Sequence, residues 1–166
     1  MRRLWLGAVT IAALATTGSA PAADVRTFDL STGVVNGRAV LGRSPAGVTA
    51  ALGRPDTRFP GPRYRLQYDR RGTIVYFRRQ QGQLRAVSLV FRDSAYREAR
   101  LGRALRLRPV ALQRAIANAY GDEYALEQAY RCRQVCTGVF VASEGGRRIT
   151  FGREPDGRTF IVFWRT

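Results

Sequence analysis

Two stretches of the sequence carry the same helix signals, and each is followed by short apolar segments separated by turn residues. The first stretch, 41–56, reads LGRSPAGVTAALGRPD, and the second, 105–122, reads LRLRPVALQRAIANAYGD. In each, a proline suits the first helical position, and a glycine after the apolar run supplies a stop. We therefore expect two short helices, with Ser44 as the N-cap of the first.

The segments after the two helices also correspond. Residues 64–75, YRLQYDRRGTIV, align without a gap with residues 130–141, YRCRQVCTGVFV. Later extended segments such as TIVYF and TFIVFW are bounded by Gly, Asp or Pro, which is typical of antiparallel hairpins. The sequence therefore predicts an α+β fold with two layers: two tandem units, 23–94 and 95–166, each with a helix packed on an antiparallel meander.

The N-terminus has the organisation of a secretory signal peptide. Arg2 and Arg3 precede an apolar run over residues 4–15, and small residues follow up to Ala22. We expect cleavage after Ala22, with cleavage after Ala20 or a retained anchor helix as the alternatives. The predicted location is therefore the periplasm or the exterior. Because no second apolar run follows, the sequence after cleavage predicts no transmembrane span.

The two cysteines, Cys132 and Cys136, are separated by three residues. In an oxidising compartment this spacing suits a disulfide across a tight loop between two strands. A zinc or redox site is the alternative, but the sequence has no histidine and no second cysteine pair to complete a zinc site. We predict a structural disulfide.

The helix opened by LGRSPAGVTAALGRPD and followed by a YRLQY…GTIVYF meander resembles the small envelope domains of the OmlA/BamE outer-membrane-assembly family. Two such units in tandem are similar to the architecture of β-lactamase inhibitor proteins, in which duplicated units present a concave sheet to an enzyme. The resemblance covers nearly all of residues 23–166. It implies this fold and a function in protein binding, although no cysteine follows the signal sequence to carry the lipid anchor typical of OmlA/BamE proteins.

The composition argues against catalysis. The sequence has no histidine and no lysine, so the usual general bases near neutral pH are absent. The carboxylate pairs Asp122 with Glu123 and Glu154 with Asp156 lie where turn residues are expected. We predict that the protein is not an enzyme and has no catalytic, metal-binding or cofactor-binding residues. A hydrolase that uses a pair of carboxylates is a remote alternative.

Aromatic residues and arginine point to a binding function. We take Tyr68, Tyr76, Phe163 and Trp164 as a candidate contact face for another exported or envelope protein. Several strands are apolar on both faces. The alternative is therefore that the face turned away from the helix is also buried, either by the other unit or by a segment such as VRTFDL, residues 25–30.

The net charge supports a second hypothesis about the partner. The formal charge is +16, and every one of the 28 Lys and Arg residues is Arg. The excess of arginine suggests an envelope factor that binds an anionic polymer or lipid head group, unless the charge is only a solvated exterior. We do not expect nucleic acid to be the partner, because export would remove it from reach.

Overall fold

The computed structural model describes residues 26–132 and 136–165. The predicted signal peptide, residues 1–22, lies outside the described residues. The helices of the structure are α1 (Pro45–Leu52) and α2 (Pro109–Tyr120), with short 3-10 helices at Asp69–Arg71 and Ala104–Arg106. The strands are β1 (Thr27–Phe28), β2 (Val34–Val35), β3 (Arg38–Ala39), β4 (Thr57–Phe59), β5 (Arg65–Tyr68), β6 (Thr73–Gln80), β7 (Gln83–Phe91), β8 (Arg97–Glu98), β9 (Tyr124–Cys132), β10 (Cys136–Ala142), β11 (Arg147–Arg153) and β12 (Thr159–Arg165).

Eight strands form one antiparallel sheet in the order β4-β5-β6-β7-β12-β11-β10-β9. The first four strands after α1, β4 to β7, form one half of this sheet, and β9 to β12, which follow α2, form the other. The halves meet where β7 pairs with β12, and the register there runs from Phe91 opposite Ile161 to Ser88 opposite Trp164. Since this pairing is an ordinary antiparallel ladder, the two meanders make one continuous surface.

A smaller sheet has the order β3-β2-β1-β8. It is mixed, because β1 pairs with β2 in the antiparallel sense and with β8 in the parallel sense. Phe28, Leu30 and Val35, which lie in or next to its strands, are buried in the same core as the two helices. The small sheet therefore helps to cover one face of the main sheet, which we call the inner face.

The predicted α+β class is wrong, because the fold is β-rich, with a large antiparallel sheet and a second, mixed sheet. The helices have only eight and twelve residues, and the small sheet completes the layer that covers the inner face. Strands of two residues carry no periodic signal, so the sequence did not reveal the small sheet. The division of the chain into units 23–94 and 95–166 stays a prediction.

The local helix signals are confirmed. Ser44 caps α1 by accepting a hydrogen bond from the backbone N–H of Gly47 at 3.2 Å, and Pro45 takes the first helical position. Gly53 ends the helix with φ at 83°, a conformation that glycine adopts without strain. Pro109 likewise begins α2, whose buried stripe contains Leu112, Ile116 and Tyr120.

A buried carboxylate joins the N-terminal segment to α2. Glu98 is 2% exposed and accepts hydrogen bonds from three backbone N–H groups, those of Leu30 at 3.1 Å and of Arg100 and Leu101 at 2.8 Å each. The phenol of Tyr120 also donates to this carboxylate. Hydrogen bonds of this kind compensate the cost of burying a charge, so Glu98 acts as a structural link.

Candidate interaction surface

The main sheet has two faces with separate apolar clusters. On the inner face, side chains such as Leu89 and Phe163 belong to the large core under the helices. The opposite side, which we call the outer face, carries a second cluster of Ile74, Val90 and Val162. These three residues lie side by side on β6, β7 and β12.

Aromatic residues surround this second cluster. Tyr76 and Phe160 are partly buried against it, and Trp164 is 38% exposed. Together these side chains form a groove of about 560 Å³ on the outer face. The residues that line it are Pro62, Arg63, Tyr76, Phe77, Arg78, Val87, Val90, Arg92, Glu154, Phe160, Val162 and Trp164. The groove therefore has an apolar floor, aromatic walls and a rim of arginines.

Two small residues, one on each of the strands that flank β12, make room for the aromatic walls. Ser88 lies opposite Tyr76 on one side and Trp164 on the other. Gly152 lies opposite Phe160, and a Cβ at Gly152 would come within 2.8 Å of the Phe160 ring and would also collide with the carbonyl of Cys136. Because no side chain occupies this space, the ring of Phe160 lies close to the backbone of β11.

The arginines of the groove differ in their partners. Arg92 forms an ion pair with Glu154 at 2.9 Å between Nε and Oε1. Arg63 and Arg78 have no carboxylate within ion-pair distance among the described residues. Their guanidinium groups thus remain available to an anionic group of a partner.

The structure separates the four residues of the predicted contact face. Tyr76 and Trp164 lie on the outer face. Tyr68 and Phe163 are each 1% exposed in the inner core, so they cannot contact a partner. The prediction was therefore wrong for Tyr68 and Phe163. Successive residues of a strand point to opposite faces, so the adjacent residues Phe163 and Trp164 cannot share one contact face.

Phe160, Val90 and Val162 line the groove but were not among the residues predicted for the contact face. The alternation of TFIVFW does group Phe160, Val162 and Trp164, and that signal was present in the sequence. What the sequence did not show was which of the two groups faces the helices. Phe28 and Leu30 of the VRTFDL segment pack in the inner core, so this segment does not cover the outer face as the alternative proposed.

The predicted disulfide is confirmed. Cys132 and Cys136 are bonded, their Cα atoms are 4.1 Å apart, and they are opposite each other in the ladder of β9 and β10. The bond therefore closes the end of the hairpin that forms one edge of the main sheet.

Three of the four carboxylates considered for catalysis, Glu123, Glu154 and Asp156, make ion pairs with arginines. Glu123 contacts Arg100 at 2.6 Å. Asp156 contacts Arg158 at 2.6 Å, and the hydrogen bonds from Arg158 hold the pKa of Asp156 below its usual value. Asp156 therefore stays ionised at neutral pH and is unsuited to donate a proton.

The described residues include neither a cluster suited to a metal ion nor a helix suited to span a membrane. Within residues 26–132 and 136–165, no group of three or more Cys, Asp or Glu side chains is arranged to hold a metal ion. Neither helix in these ranges is long and apolar enough to cross a membrane.

Comparisons with protein-family models, with curated proteins and with solved structures find no match to this chain. The resemblance to OmlA/BamE domains and to β-lactamase inhibitor proteins therefore stays a prediction from the sequence.

Proposed function

We propose that the chain is an exported, non-catalytic protein-binding module whose outer face docks onto an acidic protein surface bearing an apolar side chain. The observation that carries this proposal is the groove in which Tyr76, Phe160 and Trp164 stand around a floor of Val90 and Val162. An apolar floor with polar rim groups is the usual anatomy of a specific protein interface.

The residue types at the groove favour a protein partner. Tryptophan, tyrosine and arginine supply a large share of the binding free energy at protein interfaces, above all where neighbouring contacts exclude water. Trp164 combines an exposed ring with a fixed position in the centre of the sheet. An anionic polymer could pair with the arginines, but it would bring no apolar group to fill the groove.

Charge complementarity supports an acidic partner surface. The rim residues Arg63 and Arg78 lack carboxylate partners within the described ranges, and the whole chain carries a formal charge of +16. Opposite charge on the partner would accelerate association and fix its orientation. Because such attraction is screened by salt, the complex should weaken as ionic strength rises.

Affinity capture from an envelope extract, with matched variants, tests this proposal. We expect the wild-type protein and Val110→Ala to retain the same partner and Trp164→Ala to lose it. Val110 is a suitable control because it is 52% exposed on α2, away from the groove. With the purified partner, Trp164→Ala should raise Kd by about tenfold or more. Equal retention by Trp164→Ala and Val110→Ala would contradict the proposal.

The export of the protein can be tested separately. The predicted signal peptide and the Cys132–Cys136 disulfide support this part of the proposal. Intact mass measured on protein from the periplasm or the medium should correspond to a chain that begins at Ala23. A chain that begins at Met1 and is found only in the cytoplasm would contradict it.

A further inference from the structure

A second cleft lies at the end of the main sheet where β5, β6, β11 and β12 meet the segment before α2. We call it the arginine cleft. It has a volume of about 610 Å³, and Arg92 lines both this cleft and the groove of the outer face. Seven charged side chains line it: Asp69, Arg92, Asp93, Arg106, Arg108, Arg153 and Arg158.

The carboxylates around the cleft neutralise only part of this charge. Asp93 pairs with Arg26 at 2.7 Å. Glu154 pairs with Arg92 at 2.9 Å, and Asp156 pairs with Arg158 at 2.6 Å. The pairs that these carboxylates form leave three arginines of the cleft without an acidic partner.

Those three are Arg106, Arg108 and Arg153, and none has a carboxylate within ion-pair distance in the described parts of the chain. Asp69, whose carboxylate accepts a hydrogen bond from the Gln67 amide, is the acidic lining residue not engaged by an arginine. The unpaired groups of the cleft therefore carry an excess of two positive charges. A ligand with two singly charged anionic groups, or with one doubly charged anionic group, would balance this excess.

The backbone beneath these arginines is held in place. Arg106 ends a 3-10 helix in which Leu105 is 5% exposed, and the hydroxyl of Thr159 donates to the carbonyl of Leu107 at 3.0 Å. Arg153 donates from Nε to the carbonyl of Gly157 at 2.8 Å, which leaves its terminal nitrogens free. The backbone next to Arg106 and the guanidinium of Arg153 are thus held in place, and this lowers the entropy cost of binding.

We infer that the arginine cleft is a binding site for a phosphorylated sugar or polyol. A phosphate group accepts paired hydrogen bonds from the planar guanidinium and carries up to two charges. The amide of Gln67 and the hydroxyl of Ser94, which also line the cleft, suit the hydroxyl groups of a sugar. The volume lies in the range of about 300–1,000 Å³ that is typical of small-molecule sites.

This inference is independent of the proposed protein interface. The groove of the outer face is defined by aromatic residues, whereas the cleft is defined by Arg106, Arg108 and Arg153. The ligand could be a soluble sugar phosphate or the head group of a lipid, since both carry the same chemistry. Measurements with soluble and vesicle-bound probes distinguish these sources.

Calorimetric titration of the full chain with glucose 6-phosphate tests the soluble form, with glucose and inorganic phosphate as reference ligands. Flotation with phosphatidylcholine vesicles, with and without phosphatidylinositol 4-phosphate, tests the lipid form. We expect at least one phosphorylated probe to bind, and to bind more tightly than glucose or inorganic phosphate. Binding in the first assay alone indicates a soluble ligand, and binding in the second alone indicates a head group. Failure of both probes, or binding no tighter than that of inorganic phosphate, would overturn the inference.

Matched variants distinguish a site from general attraction to a basic protein. The double substitution Arg106→Gln with Arg108→Gln should weaken binding by about tenfold or more, because it removes two charge-assisted contacts. The control is Arg63→Gln with Arg78→Gln, which removes the same charge from the outer face and should change Kd by less than about twofold. All four residues are exposed, so both variants should fold. Equal losses in the two variants would show that no localised site exists.

Discussion

Tyr76 and Trp164 flank Ser88 on the outer face, because Ser88 is the register partner of both residues in the neighbouring strands. Ser88 is completely buried, and its hydroxyl has no hydrogen-bond partner in the part of the chain that the structure describes. The small side chain leaves space for the two aromatic rings. The aromatic row of the groove therefore depends on the strand register of β6, β7 and β12.

The buried hydroxyl of Ser88 leads to a first prediction. Ser88→Ala should leave the free energy of unfolding unchanged or raise it by about 1 kcal/mol, because it removes a buried polar group that lacks a partner. Thr73→Val is the control, since the hydroxyl of Thr73 is bonded to that of Tyr96 at 2.7 Å, and its loss should destabilise the fold. Urea unfolding measures both changes. A clear loss of stability in Ser88→Ala would mean that the hydroxyl has a partner after all.

A second prediction separates the two faces of the sheet. Tyr68→Ala and Phe163→Ala should each lower the free energy of unfolding by about 3–5 kcal/mol, because each leaves a cavity in the inner core. Trp164→Ala should cost far less, since its side chain is already partly in solvent. Denaturant unfolding of the three variants checks this order. Comparable losses for Trp164 and Phe163 would place Trp164 in the core and remove it from the groove.

A third prediction concerns the carboxylate of Glu98. Glu98→Gln should destabilise the protein by about 1–3 kcal/mol, because the amide nitrogen is a donor and in either orientation it faces at least one backbone N–H group that now donates to the carboxylate. Glu127→Gln makes the same chemical change at the exposed ion pair with Arg148 and should cost at most about 1 kcal/mol. Thermal unfolding of both variants at neutral pH gives the comparison. Equal effects would contradict the linking role of Glu98.

A fourth prediction concerns alkaline pH. Burial, assisted by the nearby Glu123 and Asp29, raises the pKa of Tyr124 to about 12, and burial also raises the pKa of Tyr120. In the unfolded chain a tyrosine pKa lies near about 10. Above that pH the unfolded chain loses protons that the folded chain retains, so the contribution of Tyr124 to stability is fully present below pH about 10 and falls as pH rises toward about 12.

The matched variant for this prediction is Tyr124→Phe, which has no phenol to titrate at that position. It also loses the hydrogen bond to the carbonyl of Leu30, which is 2.7 Å long, so its stability at neutral pH should be lower. The measurement is the melting temperature from pH about 8 to about 12. The difference between wild type and variant should narrow above pH about 10. Parallel curves throughout this range would contradict the raised pKa of Tyr124.

Local features were predictable from the sequence because they depend on few residues. The cap at Ser44, the prolines at the starts of both helices and the disulfide each follow from the conformational preferences of one or two side chains. The antiparallel pairing of β6 with β7 likewise depends on a short turn between two apolar segments.

The fold class and half of the contact face were not predictable in the same way. Whether Phe163 or Trp164 faces the helices depends on the pairing of β12 with β7, two strands that are distant in the sequence. Alternation gives the two sets of side chains but not the direction of each set. The parallel pairing of β1 with β8 is also a long-range contact between very short strands, and it helps to make the fold β-rich.

Photo-cross-linking from position 76 tests the docking surface most directly. A photoreactive phenylalanine analogue replaces Tyr76 in one sample and Val110 in a second, and both proteins are irradiated in the envelope extract. We expect position 76 to give an adduct with one acidic protein, position 110 to give none, and Trp164→Ala to abolish the adduct at position 76. The absence of an adduct at position 76, or the same adduct from both positions, would show that the outer face is not the docking surface.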